Sequence, residues 1–260
     1  MLSPMDEPSR LRRFLAPDEC RIGELVTLAP EQSRHMVTVL RLGRGRSVRI
    51  FTGAGREFVG QVEDAHASAA RVRILEELQL PPRTLGARTL SALTLAFAPA
   101  PGNRSDIVVE KATELGVDLL LPLLCERLQG GRAQAAAHRA DRWRRKAADA
   151  ARQSQRTVVP TVGAPVPFER FVQAANAGLR IIAAGPGHPA LYSVLSGAQV
   201  PPGPVSLAVG PAGGFTQREL ALAAGAGFLP VSLGPHVLRV ETAAICLVAG
   251  VMLYLGREGG

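Results

Sequence analysis

The hydrophobic pattern of the chain changes character once. Up to about residue 80 the apolar positions come in short, partly alternating runs, RRFLA, LVTLA, SVRIFTG, EFVGQVED and ARVRILEEL, separated by glycine-containing turns. Runs of this length and period predict strands. One segment, EQSRHMVTVLRL (31–42), instead spaces Met36, Val39 and Leu40 as one face of a helix. A small β-barrel-like domain carrying one helix is expected. Proline and glycine punctuate residues 81–88, which are expected to form a linker.

From Leu90 strand-length apolar runs alternate with helical stretches. LSALTLAFA (90–98), VDLLLPLL (117–124), LRIIAA (179–184), VSLAV (205–209) and FLPVSL (228–233) read as buried strands. Helices are expected over 105–115, over 138–154 with Trp143, Ala147, Ala150 and Ala151 as the apolar stripe, after Thr216, and through the last apolar run. Strands alternating with helices imply an α/β domain around a mainly parallel sheet. Two domains follow, residues 1–82 and 83–260.

Three of these strands run into Gly-Pro loops: Gly185-Pro186-Gly187, Gly210-Pro211-Ala212-Gly213-Gly214 and Gly234-Pro235-His236. Thr216-Gln217-Arg218-Glu219 fits a capping box and starts a helix just behind the second loop. Ligands of open α/β sheets bind at the carboxyl ends of strands, and glycine lets a ligand approach the backbone closely. The second loop is followed by no Gly-Lys-Ser/Thr, and it lacks the Gly-x-Gly-x-x-Gly spacing, so neither phosphate-binding fingerprint applies. Each loop alone is compatible with a small-molecule cradle or with a tight turn.

Composition narrows the class. With 260 residues, 47% hydrophobic and 20% charged, the chain reads as globular. Its longest apolar stretch, 243–255, is shorter than the roughly 20 residues that span a bilayer. The first residues carry no apolar core behind a basic tip, as a secretory signal would. The scattered Cys20, Cys125 and Cys246 form no metal-ligand spacing or disulfide framework. A cytoplasmic protein without membrane or metal is expected.

The net charge of +8 is unevenly placed. Residues 1–80 carry 12 basic and 11 acidic side chains, whereas residues 127–156 carry nine and two. A cluster that dense attracts phosphate backbones when it faces solvent, although a plain solvated helix face has the same composition. Arg142, Arg145 and Arg152 are the candidates for nucleic-acid contact there. In the N-terminal domain Arg34, Arg41, Arg44, Arg46 and Arg49 fall in a stretch without acidic residues. Trp143 and His35 are expected to pack rather than to bind.

The segment LAVGPAGGFTQREL followed by VSLGPHVLRVETAA resembles the C-terminal signature of the ribosomal RNA small subunit methyltransferase E family, in the SPOUT class of S-adenosylmethionine-dependent RNA methyltransferases. VVEKATELGV (108–117), the RW and RQSQR stretch of 142–160, and HMVTVLRLGRGRSVRIFTGAG (35–55) extend the resemblance over nearly the whole chain. The resemblance implies a PUA-like RNA-binding barrel before a SPOUT domain with a trefoil knot, a homodimer, and methylation of N3 of a uridine in 16S ribosomal RNA of the small subunit. Alternatives are a non-catalytic RNA-binding or ribosome-assembly protein of the same fold, or methylation of a ribose 2′-hydroxyl.

The resemblance places the cofactor in the loops 183–187, 207–214 and 232–240. Ala184 and Gly185 are the expected contacts in the first loop, Val209, Gly210, Pro211 and Gly214 in the second, and Leu233, Gly234, Val237 and Leu238 in the third. The family's usual Gly-Pro-Glu-Gly-Gly is Gly-Pro-Ala-Gly-Gly here, with alanine at 212. Arg239 is the leading candidate for stabilising charge on the target base, a task a guanidinium performs without acting as a base. Glu241, in the first turn of the last helix, and Arg104, on another strand-end loop, complete the candidate catalytic set.

Overall fold

The structure, a computed structural model, describes residues 11–16, 19–80, 84–85, 88–89, 92–128, 132–175, 178–197 and 203–256. The first ten residues and most of the expected linker (81–83 and 86–87) lie outside the described residues; Thr84–Leu85 (β6) and Arg88–Thr89 (β7) pair antiparallel. The chain divides into two compact units. One comprises residues 1–81 with 151–159, the other 82–150 with 160–260.

In the first unit Arg13–Leu15 (β1), Leu25–Thr27 (β2), Ser47–Phe51 (β3), Glu57–Asp64 (β4) and Arg71–Glu77 (β5) form a sheet in the order β1-β3-β4-β5-β2. The β1–β3 pair is parallel and the other pairs are antiparallel. Their alternating apolar residues, among them Phe14, Ile50, Phe58 and Val72, meet in one core with Met36. The single expected helix is shorter and less regular than its spacing implied. Pro30–Arg34 (α1) passes into a π-helical turn, His35–Val39, and ends at Arg41 with φ of 53°. An i→i+5 turn advances less per residue than an α turn. Val39 therefore falls off the stripe that starts at Met36 and is 63% exposed.

Segment 151–159 joins this unit through Arg13. Its guanidinium donates to the backbone carbonyls of Arg152 and Arg156 at 3.3 and 3.1 Å, while its Nε bonds Glu57 at 2.6 Å. Glu57 is fully buried and also accepts from Arg49 at 2.7 Å. Arg49 is thereby committed to the interior of the unit, unlike the exposed Arg34, Arg41, Arg44 and Arg46 of the same stretch.

In the second unit Leu93–Phe97 (β8), Leu119–Leu124 (β9), Thr161–Val162 (β10), Val166–Pro167 (β11), Leu179–Ala183 (β12), Val205–Val209 (β13) and Leu229–Val231 (β14) form a seven-stranded sheet. Its order is β10-β9-β8-β13-β12-β14 with β11 also on β9, and every pair is parallel. Helices cover it: Arg104–Glu114 (α2), Arg132–Gln153 (α3), Phe168–Ala174 (α4), Leu191–Gly197 (α5), Gln217–Gly225 (α6) and Val240–Gly256 (α7). Strands covered on both faces lose the alternation of a one-sided sheet, and all five residues of β13 are buried. The short β10, β11, α4 and α5 were not expected from the pattern. Each is too brief to carry a periodic signal.

The arginine-rich α3 starts six residues earlier than its spacing implied and buries Trp143, Ala147, Ala150 and Ala151. Its polar side chains are partly engaged by the loop before α2 and by α2 itself. Arg139 donates to the Gly102 carbonyl at 2.9 Å, Arg142 to Asp106, and Lys146 to Glu110 at 3.0 Å. The partners advance by three or four residues on each side, so cations one helical turn apart meet acceptors one turn apart.

Candidate functional site

Because the strands are parallel, their carboxyl ends share one edge. The order β13-β12-β14 sets three of those ends side by side, and the three Gly-Pro loops follow them. Together they enclose a cavity of about 220 Å³. Ala184 and Gly185 line it from the first loop, Val209, Gly210, Pro211 and Gly214 from the second, and Leu233, Gly234, Val237 and Leu238 from the third. All ten residues singled out for the cofactor are thus brought together. Ala183, Pro186, Ala212, Gly213, His236, Val240 and Ala243 line it as well. These neighbours share the same loops and the start of α7, so strand-end position was the signal that could have found them.

Two glycines show why the loops have this composition. A Cβ on Gly210 would lie 3.0 to 3.2 Å from the Phe215 ring, closer than an ordinary contact. Gly234 has φ of 138°, a conformation that side chains rarely adopt, and an added Cβ there would meet nothing within 4 Å. The Ser232 hydroxyl fixes this turn, donating to the Gly234 carbonyl at 2.8 Å and accepting from its N–H at 3.2 Å.

Behind the second loop the expected capping box is formed. Thr216 Oγ1 accepts from the Glu219 N–H at 3.2 Å, and Glu219 Oε2 accepts from the Thr216 N–H at 2.7 Å. Glu219 is 1% exposed, and its Oε1 accepts from the Glu126 N–H at 2.9 Å, so both oxygens of this buried carboxylate are satisfied. Burial pushes the neighbouring Cys125 thiol up, and the carboxylates of Glu219 and Glu169 add to the effect. That thiol is held in its inert, protonated form.

The candidate catalytic residues lie at the start of α7. Arg239 is exposed, its carbonyl accepts from the Ala243 N–H at 2.8 Å, and its chain neighbours Leu238 and Val240 line the cavity. Glu241, in the first turn of α7, stands 3.8 Å from the Arg104 Nε. Its Oε2 is buried and has no hydrogen-bond partner among the described residues. A buried acceptor in that state is costly until a donor reaches it.

The candidate RNA residues are dispersed. Arg34, Arg41 and Arg44 are exposed in the first unit, and Arg152 is half-buried in segment 151–159. In the second unit Arg145 is exposed, while Arg142 pairs with Asp106 and keeps 62% of its side chain accessible. Among the described residues no helix is long and apolar enough to cross a membrane, and no cluster of His, Cys, Asp or Glu is arranged to hold a metal.

This architecture defines a class. Residues 87–252 match the family of the RNA methyltransferase domain, and residues 28–75 match the RNA methyltransferase PUA domain. Within that class the chain belongs to the ribosomal RNA small subunit methyltransferase E family. It is 33% identical to the protein of that name from Synechocystis, over 94% of this chain and 78% of the relative. A methyltransferase from Legionella pneumophila, solved with bound S-adenosylmethionine, superposes with a TM-score of 0.82 at 33% identity, covering 94% of this chain and 98% of that one. The ribosomal RNA small subunit methyltransferase E of Neisseria gonorrhoeae, also bound to S-adenosylmethionine, gives 0.79 at 26% identity, covering 94% and 98%.

Proposed function

We propose that the protein is an S-adenosylmethionine-dependent RNA methyltransferase that modifies N3 of a uridine in 16S ribosomal RNA, acting as a cytoplasmic homodimer. The observation that carries this reading is the convergence of three glycine-containing strand-end loops on one cavity beside Arg239 and Glu241. The lining fits the cofactor. Apolar Leu233, Val237 and Leu238 suit an adenine ring, and backbone groups at Gly210 and Gly234 are bare of side chains. Among the described residues no lysine or arginine lines the cavity. That suits a cationic sulfonium and disfavours a nucleoside triphosphate.

When bound, S-adenosylmethionine supplies an electrophilic methyl group. The chain's own residues then have to hold the uridine in line with it, which is worth much of the rate. The N3 lone pair becomes available as the imide proton passes to solvent water. Glu241, 3.8 Å from the Arg104 Nε, orients that guanidinium toward the uridine. Arg239 and Arg104 supply positive charge for the developing uridine anion. Arg34, Arg41, Arg44, Arg145 and the accessible parts of Arg142 and Arg152 hold the RNA backbone. We extend the reading to the fold itself, with the N-terminal strands as a PUA-like barrel, residues 1–82 and 83–260 as the two domains, and the chain around the cavity as a trefoil knot. The insertion of β12 between β13 and β14, against sequence order, supports that path.

Calorimetry with S-adenosylmethionine tests the cofactor, and no heat at millimolar ligand would refute the enzyme reading. Mass mapping of small-subunit RNA from cells with and without the protein tests the atom modified. A methyl group on ribose would replace the N3 assignment.

A further inference from the structure

We propose that Arg127 is a positioning residue that tethers the loop 210–214 in the shape that receives the cofactor; the assignment of the cavity's ligand rests on the reading above. Arg127 follows β9, and its Nη1 donates to the carbonyl of Gly213 at 2.7 Å and to that of Phe215 at 3.4 Å. Its side chain also covers Gly213, where a Cβ would meet the Arg127 Cδ at 3.5 Å. The loop it holds needs such a hold. Ala212 and Gly213 are exposed, and glycines lose more freedom on ordering than any other residue.

The base of the tether is itself anchored. The Glu126 N–H bonds Glu219 at 2.9 Å, and the Glu126 carboxylate accepts from Arg218 at 2.9 Å. Glu219 closes the cap of α6, the helix that begins directly after the loop. The connections therefore form a closed ring: loop, helix cap, Glu126, Arg127 and back to the loop. From the other side the Phe215 ring abuts Gly210. A loop ordered before the ligand arrives leaves less entropy to be lost on binding. Arg127 touches the loop rather than the cavity, so it acts on affinity through the loop's shape.

Arg127→Ala and Arg127→Lys, compared with the unaltered protein, test this. Lysine keeps the charge, but its ammonium ends one bond short of the Nη1 position and lacks the rigid planar fork. In the ligand-free protein, amide hydrogen exchange is expected to quicken at residues 210–215 in both variants and to stay unchanged in β9 and α7. By calorimetry, affinity for S-adenosylmethionine is expected to fall about tenfold in Arg127→Ala, as for the loss of one charge-assisted hydrogen bond. Turnover at saturating cofactor should change less than about twofold. Unchanged exchange at 210–215 in both variants would overturn the tether, as would a loss of protection spread evenly over the unit. If the unaltered protein gives no heat with S-adenosylmethionine, the cofactor assignment fails, and the exchange measurement still decides whether Arg127 holds the loop.

Discussion

The indole N–H of Trp143 donates to the Asp106 carboxylate at 3.0 Å, with the ring itself fully buried against Phe97. The most basic helix of the chain is thus anchored from inside by an acid on α2, and Arg142 bonds the other oxygen of the same carboxylate. Part of the charge cluster serves the fold.

Removing that acid should cost stability. Asp106→Ala leaves the buried indole N–H without an acceptor and Arg142 without its partner, a loss of about 2–3 kcal/mol. Asp106→Asn retains an oxygen for the indole and should cost less than half as much. Urea unfolding of the two variants measures the difference, and equal losses would mean that the indole bond contributes little.

The same geometry separates the arginines by role. Arg145→Glu should weaken RNA binding and reduce the slope of log affinity against log salt, as for the loss of about one phosphate contact. Arg139→Ala should alter thermal stability more than RNA affinity, because its guanidinium holds the Gly102 carbonyl. Salt titrations of binding to a small-subunit RNA fragment check both.

Arg239→Ala should lower kcat by two orders of magnitude or so while leaving cofactor affinity within a few-fold, the range seen when one stabilising group is removed from a developing anion. Single-turnover rates together with calorimetry read the two effects separately. A defect in cofactor affinity alone would remove Arg239 from the chemistry.

Ala212 lines the cavity at the position where the family usually has glutamate. Among the described residues no carboxylate lines this cavity, and the proposed ligand carries positive charge. Ala212→Glu should therefore tighten S-adenosylmethionine binding several-fold, with the gain shrinking as salt rises. Weaker binding would mean that the small side chain is needed to admit the ligand.

Much of the second unit was legible because local rules agree with the final structure. VSLAV is a strand between turn residues, Thr216 and Glu219 fit a capping box, and both appear as read. The expected helix in 31–42 was harder, because a π-helical turn leaves the same apolar residues in the sequence while rotating Val39 out to solvent. Arg49 looked like its exposed neighbours until the fold set Glu57 beside it. For Arg127 no local signal exists, since its partner carbonyl lies 86 residues away.

By itself the amino-acid sequence determined the alternation of strands and helices, the glycine loops and their motifs, because backbone conformation and periodic burial are set within a few neighbouring residues. Only the tertiary structure decided that β12 lies between β13 and β14, that three loops share one cavity, and that part of α3's charge is neutralised within the protein. Those outcomes depend on which surfaces bury one another across long separations, and no local pattern encodes that choice.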